Sequence, residues 1–250
     1  MTAKTLTKDL IYSKPQEKVA DFKFDQDVVA VFPDMIQRSV PGYSTIVDNI
    51  GLLAQQFAQD NSTIYDLGCS LGAASLSVRK YATANNIKIQ AIDNSAEMVS
   101  RCKSHLAAFK SDIPVVVEQA DVLETKIENA SVVILNFTLQ FIAPEKRQEV
   151  LENIYTGLNP GGVLILSEKV SLGHSTADES LIELHHEFKR RNGYSELEIS
   201  QKRTALENVM KLESLPFHLN RLKQIGFTET LTWFQCFNFA SMLAIKPLEN

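Results

Sequence analysis

Asp66, Gly68 and Gly72 end an apolar run in the stretch IYDLGCSLGAA, residues 64–74. An acid at a strand end, followed by two glycines four apart, suits a small ligand laid against a turn. Gly68 lets the backbone turn tightly and approach a ligand without a Cβ in the way. Gly72 opens the next helix, whose first N–H groups point at a bound molecule. The spacing is Asp-x-Gly-x-x-x-Gly. Position 70 is Ser, which departs from the GxGxxG of a dinucleotide fold, and no Gly-Lys-Ser/Thr follows to make a phosphate loop.

Three further positions suit a nucleoside. Asp93 ends the next β-like run, 25 residues beyond Gly68, where a carboxylate can accept hydrogen bonds from both ribose hydroxyls. Asp121 and the backbone N–H of Val122 follow the third run, where an acid and an amide can read the amino and ring-nitrogen edge of adenine. Asn136 ends the fourth run, beside the reactive middle of such a ligand. Taken singly, each has a plainer reading: a glycine pair is common in any βα turn, and Asp93 before NSAEM suits a helix N-cap. Four successive strand ends suited to one nucleoside make the stronger case.

The elements that must hold these residues alternate. β-rich runs lie at 63–67, 87–92, 114–118, 131–135 and 162–166, with helical stretches at 73–84, 95–109 and 144–158. Buried apolar strands alternating with helices predict an α/β fold, a Rossmann-like doubly wound sheet. GLNPGG reads as a turn leading into the fifth strand. Residues 1–60 read as an N-terminal helical or irregular cap, in which Pro33 and Pro41 each end or bend a helix. Ile46, Ile50, Leu53 and Phe57 then mark a helix by their spacing of three and four. Residues 61–250 form the ligand-binding domain, with a helical insertion at about 175–225 that can cover the mouth of the sheet. Ser195 and Glu198 there have capping-box spacing, and Gly226 stops a later helix. Two β-like runs, TETLTWFQ and FNFASMLAIK, predict a closing antiparallel pair, making the sheet seven-stranded and mostly parallel.

The formal net charge of −5 over 250 residues, with basic residues scattered apart from the short Lys189-Arg190-Arg191 cluster, argues against direct nucleic-acid binding. Cys69, Cys102 and Cys236 form no CxxC pair, so neither a disulfide framework nor a zinc site is expected. Cys69 reads as a small turn residue and not a nucleophile. His185 and His186 are adjacent, so on a helix they point about 100° apart and do not converge on one metal; they read as part of a solvated helix. Trp233 and its aromatic neighbours read as core. MTAKTLTKDL has no apolar secretory segment and no apolar run approaches the roughly 20 residues of a membrane span, so a cytoplasmic location is expected.

DLGCSLG, AIDNS, ADV and LNPGG resemble the S-adenosylmethionine-dependent methyltransferase fold over about residues 60–167 and the closing strands. DLGCSLGAA, NFTLQF, GYSELEISQKR and WFQCFNF are similar to the carboxy-S-adenosyl-L-methionine synthase family over nearly the full chain. That resemblance implies two substrates, S-adenosyl-L-methionine and prephenate. Prephenate loses CO2 and its ring hydroxyl, which leaves as water with the proton of the cofactor methyl, to become phenylpyruvate, and the methyl, deprotonated to a sulfonium ylide, captures the CO2. The carboxy-S-adenosyl-L-methionine formed then serves modification of the wobble uridine of tRNA. It implies cofactor contacts at Tyr43, Gly68, Cys69, Ser70, Asp93, Asn94, Asp121, Val122, Asn136 and Arg203, a homodimer, and no metal. Ile199, Leu206 and Met210 share a helix face with Arg203, which sets a permanent cation on an apolar stripe. The resemblance implies that this guanidinium meets the added carboxylate and so serves as the catalytic residue. An ordinary methyltransferase and a binding protein without catalysis are the competing readings.

Overall fold

The computed structural model describes residues 7–249. The reading of residues 1–10 as lacking a secretory segment therefore falls largely outside them. The chain begins with an extended segment, then α1 (Gln26–Ser39) and α2 (Tyr43–Phe57). The alternating part follows as β1 (Thr63–Leu67), α3 (Ala73–Tyr81), β2 (Lys88–Asp93), α4 (Ala96–Ala107), β3 (Val115–Gln119), β4 (Ala130–Asn136), α5 (Arg147–Gly157) and β5 (Leu158–Lys169). Three helices come next, α6 (Thr176–Arg191), α7 (Glu196–Glu207) and α8 (Leu215–Ile225), before β6 (Glu229–Cys236) and β7 (Phe239–Ile245).

The sheet order is β3-β2-β1-β4-β5-β7-β6. β1 to β5 run parallel, and β7 joins β5 antiparallel, with β6 on its outer edge. Successive strand residues face opposite layers. Ile64, Val132, Ile134, Val163 and Ile165 pack on Ile46, Ile50 and Val78 of α2 and α3. Tyr65, Val133, Leu135, Leu164 and Leu166 pack on Val150, Leu151 and Ile154 of α5 and Leu222 of α8. Both faces are therefore covered, which explains why the strands read as continuous apolar runs. The winding reverses between β1 and β4, and in such sheets the ligand crevice lies outside the strand carboxyl ends at that point.

Two local expectations change. Of the two outcomes expected at Pro33, an end or a bend, the end is not found, because α1 runs through it. The proline removes one helical hydrogen bond, but Val28, Val31 and Met35 on either side of it bury against Tyr12, Phe22 and Ala205, and this packing offsets the penalty. The NPGG turn lies inside β5: Ala130 pairs Leu158 and Val132 then pairs Val163, so residues 159–162 bulge out of the ladder. Gly161, at φ +74°, makes that bulge possible. Ser195 and Glu198 form the capping box of α7, and Gly226 caps α8 at φ +125°. Among the described residues no helix is long and apolar enough to cross a membrane.

Candidate active site

A cavity of about 580 Å³ opens over the carboxyl ends of β1, β2, β4 and β5, under α1, α6 and α7. Its floor is the turn after β1. Gly68 (φ +74°), Ser70 (φ +50°) and Gly72 (φ +80°) curl it, and the amides of Gly68 and Cys69 both donate to the carbonyl of Ile92 at 2.8 Å. A Cβ on Gly68 would overlap the side chain of Thr138, whose hydroxyl donates to the carbonyl of Leu67 at 2.9 Å. The glycine is thus required by close approach as well as by its dihedral.

Three acids line this end. Asp66 Oδ2 accepts from the amide and hydroxyl of Ser75, at 3.1 and 2.6 Å. Burial still pushes its carboxyl up to about 6. Asp93 Oδ2 accepts the Ser70 amide at 2.9 Å, and Oδ1 accepts the Ser95 amide at 3.0 Å. The N-cap of α4 is Ser95, which accepts from Met98, so Asp93 does not fill that role. Each Asp93 oxygen keeps a free lone pair for a hydroxyl donor. Asp121 accepts from the Leu123 amide at 2.9 Å. The Asn136 side-chain oxygen lines the cavity, buried with no hydrogen-bond partner among the described residues, which leaves an acceptor free there. Cys69 is buried, and contact with Cys102 together with burial raises its thiol, so it is not a nucleophile.

Nine of the ten positions singled out from the sequence line this one cavity: Tyr43, Gly68, Cys69, Ser70, Asp93, Asn94, Asp121, Val122 and Asn136. Arg203 does not. It is exposed on α7, with no ion pair among the described residues. The buried residues of α7 are Glu198, Ile199, Gln201, Lys202 and Ala205; Arg203 stands one residue, about 100°, beyond Lys202. Met210 lies past the helix end. The cation that α7 turns into the cavity is Lys202.

Sequence reasoning misses the second half of the cavity. Lys169 at the end of β5, His185 and Lys189 on α6, and Lys202 line it together with Phe239. His185 is buried, contrary to the solvated-helix expectation, and its Nε2–H donates to the carbonyl of Ser39 at 2.9 Å. Burial, then neighbouring Lys189, holds its imidazole neutral, down to about 3. Burial first, then like charges, depresses Lys169 to about 8 and Lys189 to about 7. Burial lowers Lys202 to about 8 against the pull of Asp9. The available signal is the i, i+4 spacing of His185 and Lys189. The run Lys189-Arg190-Arg191 hides it: Arg190 reaches Glu183, Glu187 and Glu196, and Arg191 reaches Glu187, while only Lys189 turns inward. Among the described residues, no three His, Cys, Asp or Glu side chains converge as metal ligands would.

The geometry fits a nucleoside-bearing cation: a glycine cradle, acids at successive strand ends and an unsatisfied amide oxygen. Comparison with known proteins agrees. The family model for a methyltransferase domain matches residues 64–162. A carboxy-S-adenosyl-L-methionine synthase of Pseudoalteromonas translucida is 61% identical over 239 residues, covering 96% of this chain and 99% of the relative. One of Vibrio cholerae is 59% identical over 96% of this chain and 97% of the relative. Among solved structures, an S-adenosyl-L-methionine-dependent methyltransferase of Methanococcus maripaludis aligns over 95% of this chain and 98% of its own, at 21% identity and a TM-score of 0.57. An O-methyltransferase family protein of Burkholderia thailandensis aligns over 91% of this chain and 62% of its own, at 14% identity and a TM-score of 0.61; these two likenesses speak for the fold alone. With near-complete coverage at about 60% identity, the chain belongs to the carboxy-S-adenosyl-L-methionine synthase family of enzymes, within the S-adenosylmethionine methyltransferase superfamily.

Proposed function

We propose that this enzyme makes carboxy-S-adenosyl-L-methionine from S-adenosyl-L-methionine and prephenate, releasing phenylpyruvate and water, the water formed from the ring hydroxyl of prephenate and the proton lost by the cofactor methyl, and that the product serves a tRNA wobble-uridine modification. The observation that carries the reading is the division of one cavity into an acidic half and a lysine-rich half. A transferase that only moves a methyl group has no need of unpaired cations beside its cofactor. A reaction that brings in a carboxylate does.

The acidic half suits the cofactor. Asp93 and Asn94 face the ribose, Asp121 and Val122 the adenine, and Gly68, Cys69 and Ser70 admit the chain of the molecule close to the backbone. Asp66 attracts its positive charge. Tyr43 and Asn136 stand where the sulfonium end falls. S-adenosyl-L-methionine supplies a methyl group made acidic by the adjoining sulfonium. The protein's own part is to orient that methyl toward the lysine half, and to exclude water with Phe24, Phe32, Phe141 and Phe239 on the walls. Exclusion of water strengthens every charge–charge contact inside.

Arg203 enters this scheme from a second copy of the chain, as a homodimer contact that places its guanidinium on the new carboxylate. The setting we propose is cytoplasmic, without direct tRNA binding by this chain. The test is mass spectrometry of purified protein incubated with S-adenosyl-L-methionine and prephenate. Carboxy-S-adenosyl-L-methionine and phenylpyruvate should form in equal amounts. S-adenosylhomocysteine as the only cofactor product would make it an ordinary methyltransferase.

A further inference from the structure

Arg147, the first residue of α5, is fully buried. Its guanidinium gathers four acceptors. Nε donates to the carbonyl of Ile142 at 2.9 Å, and Nη2 donates to the carbonyls of Gln140 and Lys211 at 3.2 and 2.7 Å. Nη1 lies 2.7 Å from Glu213 Oε2 in an ion pair. The Lys211 amide also donates to the Gln140 carbonyl, at 3.0 Å. One buried cation thus joins two connecting stretches, the turn 139–142 after β4 and the link 208–214 between α7 and α8.

Both stretches face the cavity. Gln140, Phe141 and Ile142 line it from the first and Val209 and Met210 from the second, whereas Arg147 is not among its lining residues. The turn begins three residues after Asn136, and the Gln140 side-chain oxygen accepts the Lys169 amide at 3.0 Å. This wall therefore spans the junction of the acidic and lysine halves. Neither stretch belongs to the sheet, so side chains behind the wall must fix it. Glu168 near the end of β5 is buried and faces the amides of Leu139 and Gln140; burial pushes its carboxyl up, against the pull of Arg147. Glu213 also pairs with Arg221 of α8. A buried ion pair adds little net stability over well-packed apolar side chains. What a guanidinium adds is a rigid planar fork that holds several acceptors at set angles.

We infer that Arg147 is a positioning residue: through the carbonyls of Gln140, Ile142 and Lys211 it holds this two-stretch wall shut over the reacting groups, so that CO2 stays beside the cofactor methyl until it is captured. The inference rests on the proposed reaction and names the residue on which its coupling depends. With the wall loosened, water enters, CO2 escapes and solvent returns a proton to the methyl carbon. S-adenosyl-L-methionine is then recovered unchanged, while prephenate and one proton still give phenylpyruvate, CO2 and water.

The product ratio reads this coupling. Wild type given S-adenosyl-L-methionine and prephenate should form carboxy-S-adenosyl-L-methionine and phenylpyruvate in equal amounts, after subtraction of an enzyme-free control. Arg147→Lys keeps the charge beside Glu168 and Glu213 but cannot span both stretches. It should form phenylpyruvate in at least threefold excess, with S-adenosylhomocysteine affinity by calorimetry within about threefold of wild type. Glu213→Gln frees one arm of the guanidinium and should shift the ratio the same way by less; it replaces Arg147→Lys should that variant fail to fold. Equal amounts of the two products from the folded variants, however slowly formed, overturn the inference, because a general loss of structure lowers the rate and leaves the ratio. Hydrogen–deuterium exchange of the S-adenosylhomocysteine complexes reads the wall without turnover. Amides of 139–142 and 209–213 should exchange about tenfold faster in the variant than in wild type, with 63–72 unchanged. Should wild type make no carboxy-S-adenosyl-L-methionine, the proposed reaction falls and this exchange pattern alone decides the role of Arg147. It decides likewise for a variant that forms neither product. Unchanged exchange at both stretches overturns the inference in either case.

Discussion

Asp93 Oδ2 accepts the backbone N–H of Ser70 at 2.9 Å and so ties the end of β2 to the turn after β1. One carboxylate therefore shapes the cradle and faces the ligand. Asp93→Ala loses both roles, and S-adenosyl-L-methionine affinity should fall by about 1–3 kcal/mol, the scale of charge-assisted hydrogen bonds. Calorimetry giving an unchanged affinity would remove Asp93 from the ligand site.

Gly68 tests the cradle from the other side. Alanine there must adopt φ +74° and overlap Thr138. The backbone strain alone is about 1–2 kcal/mol. Gly68→Ala should lower the melting temperature and weaken cofactor binding more than tenfold. Adding Thr138→Ala should restore part of the loss, since it removes the overlap but not the strain. Full binding by the single variant would show that the turn relaxes freely.

Lys189 gives a pH signature. Its ammonium has an ordinary value of 10.5 and is depressed to about 7, chiefly by burial. Between those values the unfolded chain holds the proton and the folded chain does not, so this group makes stability rise with pH across that window. Below about 7 both states are charged and the folded one bears the full penalty. Lys189→Met should therefore raise stability most near pH 6.5, by about 1–3 kcal/mol, because a tenfold change in proton affinity corresponds to about 1.4 kcal/mol. The gain should shrink progressively toward pH 10. Differential scanning calorimetry over that range checks it. A variant less stable than wild type at pH 6.5 would mean that Lys189 has an anionic partner.

The acidic half of the site is legible in the sequence because its signals are local. Gly68 and Gly72 mark a turn, and Asp93, Asp121 and Asn136 each follow a strand, so a parallel sheet must bring them to one edge. The lysine half is not, because its residues come from β5, α6 and α7 and carry no shared spacing. Lys189 sits beside two arginines that face glutamates, and nothing in the run KRR says which one turns inward. The same difficulty affects Arg203. Helix geometry places it near an apolar stripe, yet a rotation of one residue decides between Lys202 inside and Arg203 outside. Pro33 leaves end and bend both open for a related reason, since local propensity takes no account of the packing of α1 on the extended segment and α7.

Arg203 provides the sharpest remaining test, because its position separates two arrangements. Within one chain its guanidinium is exposed and lines no part of the cavity. Burial chiefly depresses Lys169 and Lys189, and the Arg203 charge adds to the shift of both, so it lies within electrostatic reach of the lysine wall. Arg203→Met should keep S-adenosyl-L-methionine affinity within about threefold, since a neutral methyl gains little from a guanidinium, and should lose most turnover with prephenate. At an S-adenosyl-L-methionine concentration well below its weakened Kd, Asp93→Ala is expected to be inactive for a different reason, a damaged cradle. If Arg203 acts across a dimer, refolding an equal mixture of the two inactive variants yields mixed dimers in which one intact cradle meets one intact arginine. Random pairing then restores about a quarter of the wild-type sites, by the ordinary statistics of a symmetric two-site contact. If Arg203 acts within its own chain, every site in the mixture lacks one of the two residues and no activity returns. Recovery near one quarter establishes the crossed arrangement. A mixture as inactive as its parents, in a sample that light scattering shows to be dimeric, overturns it.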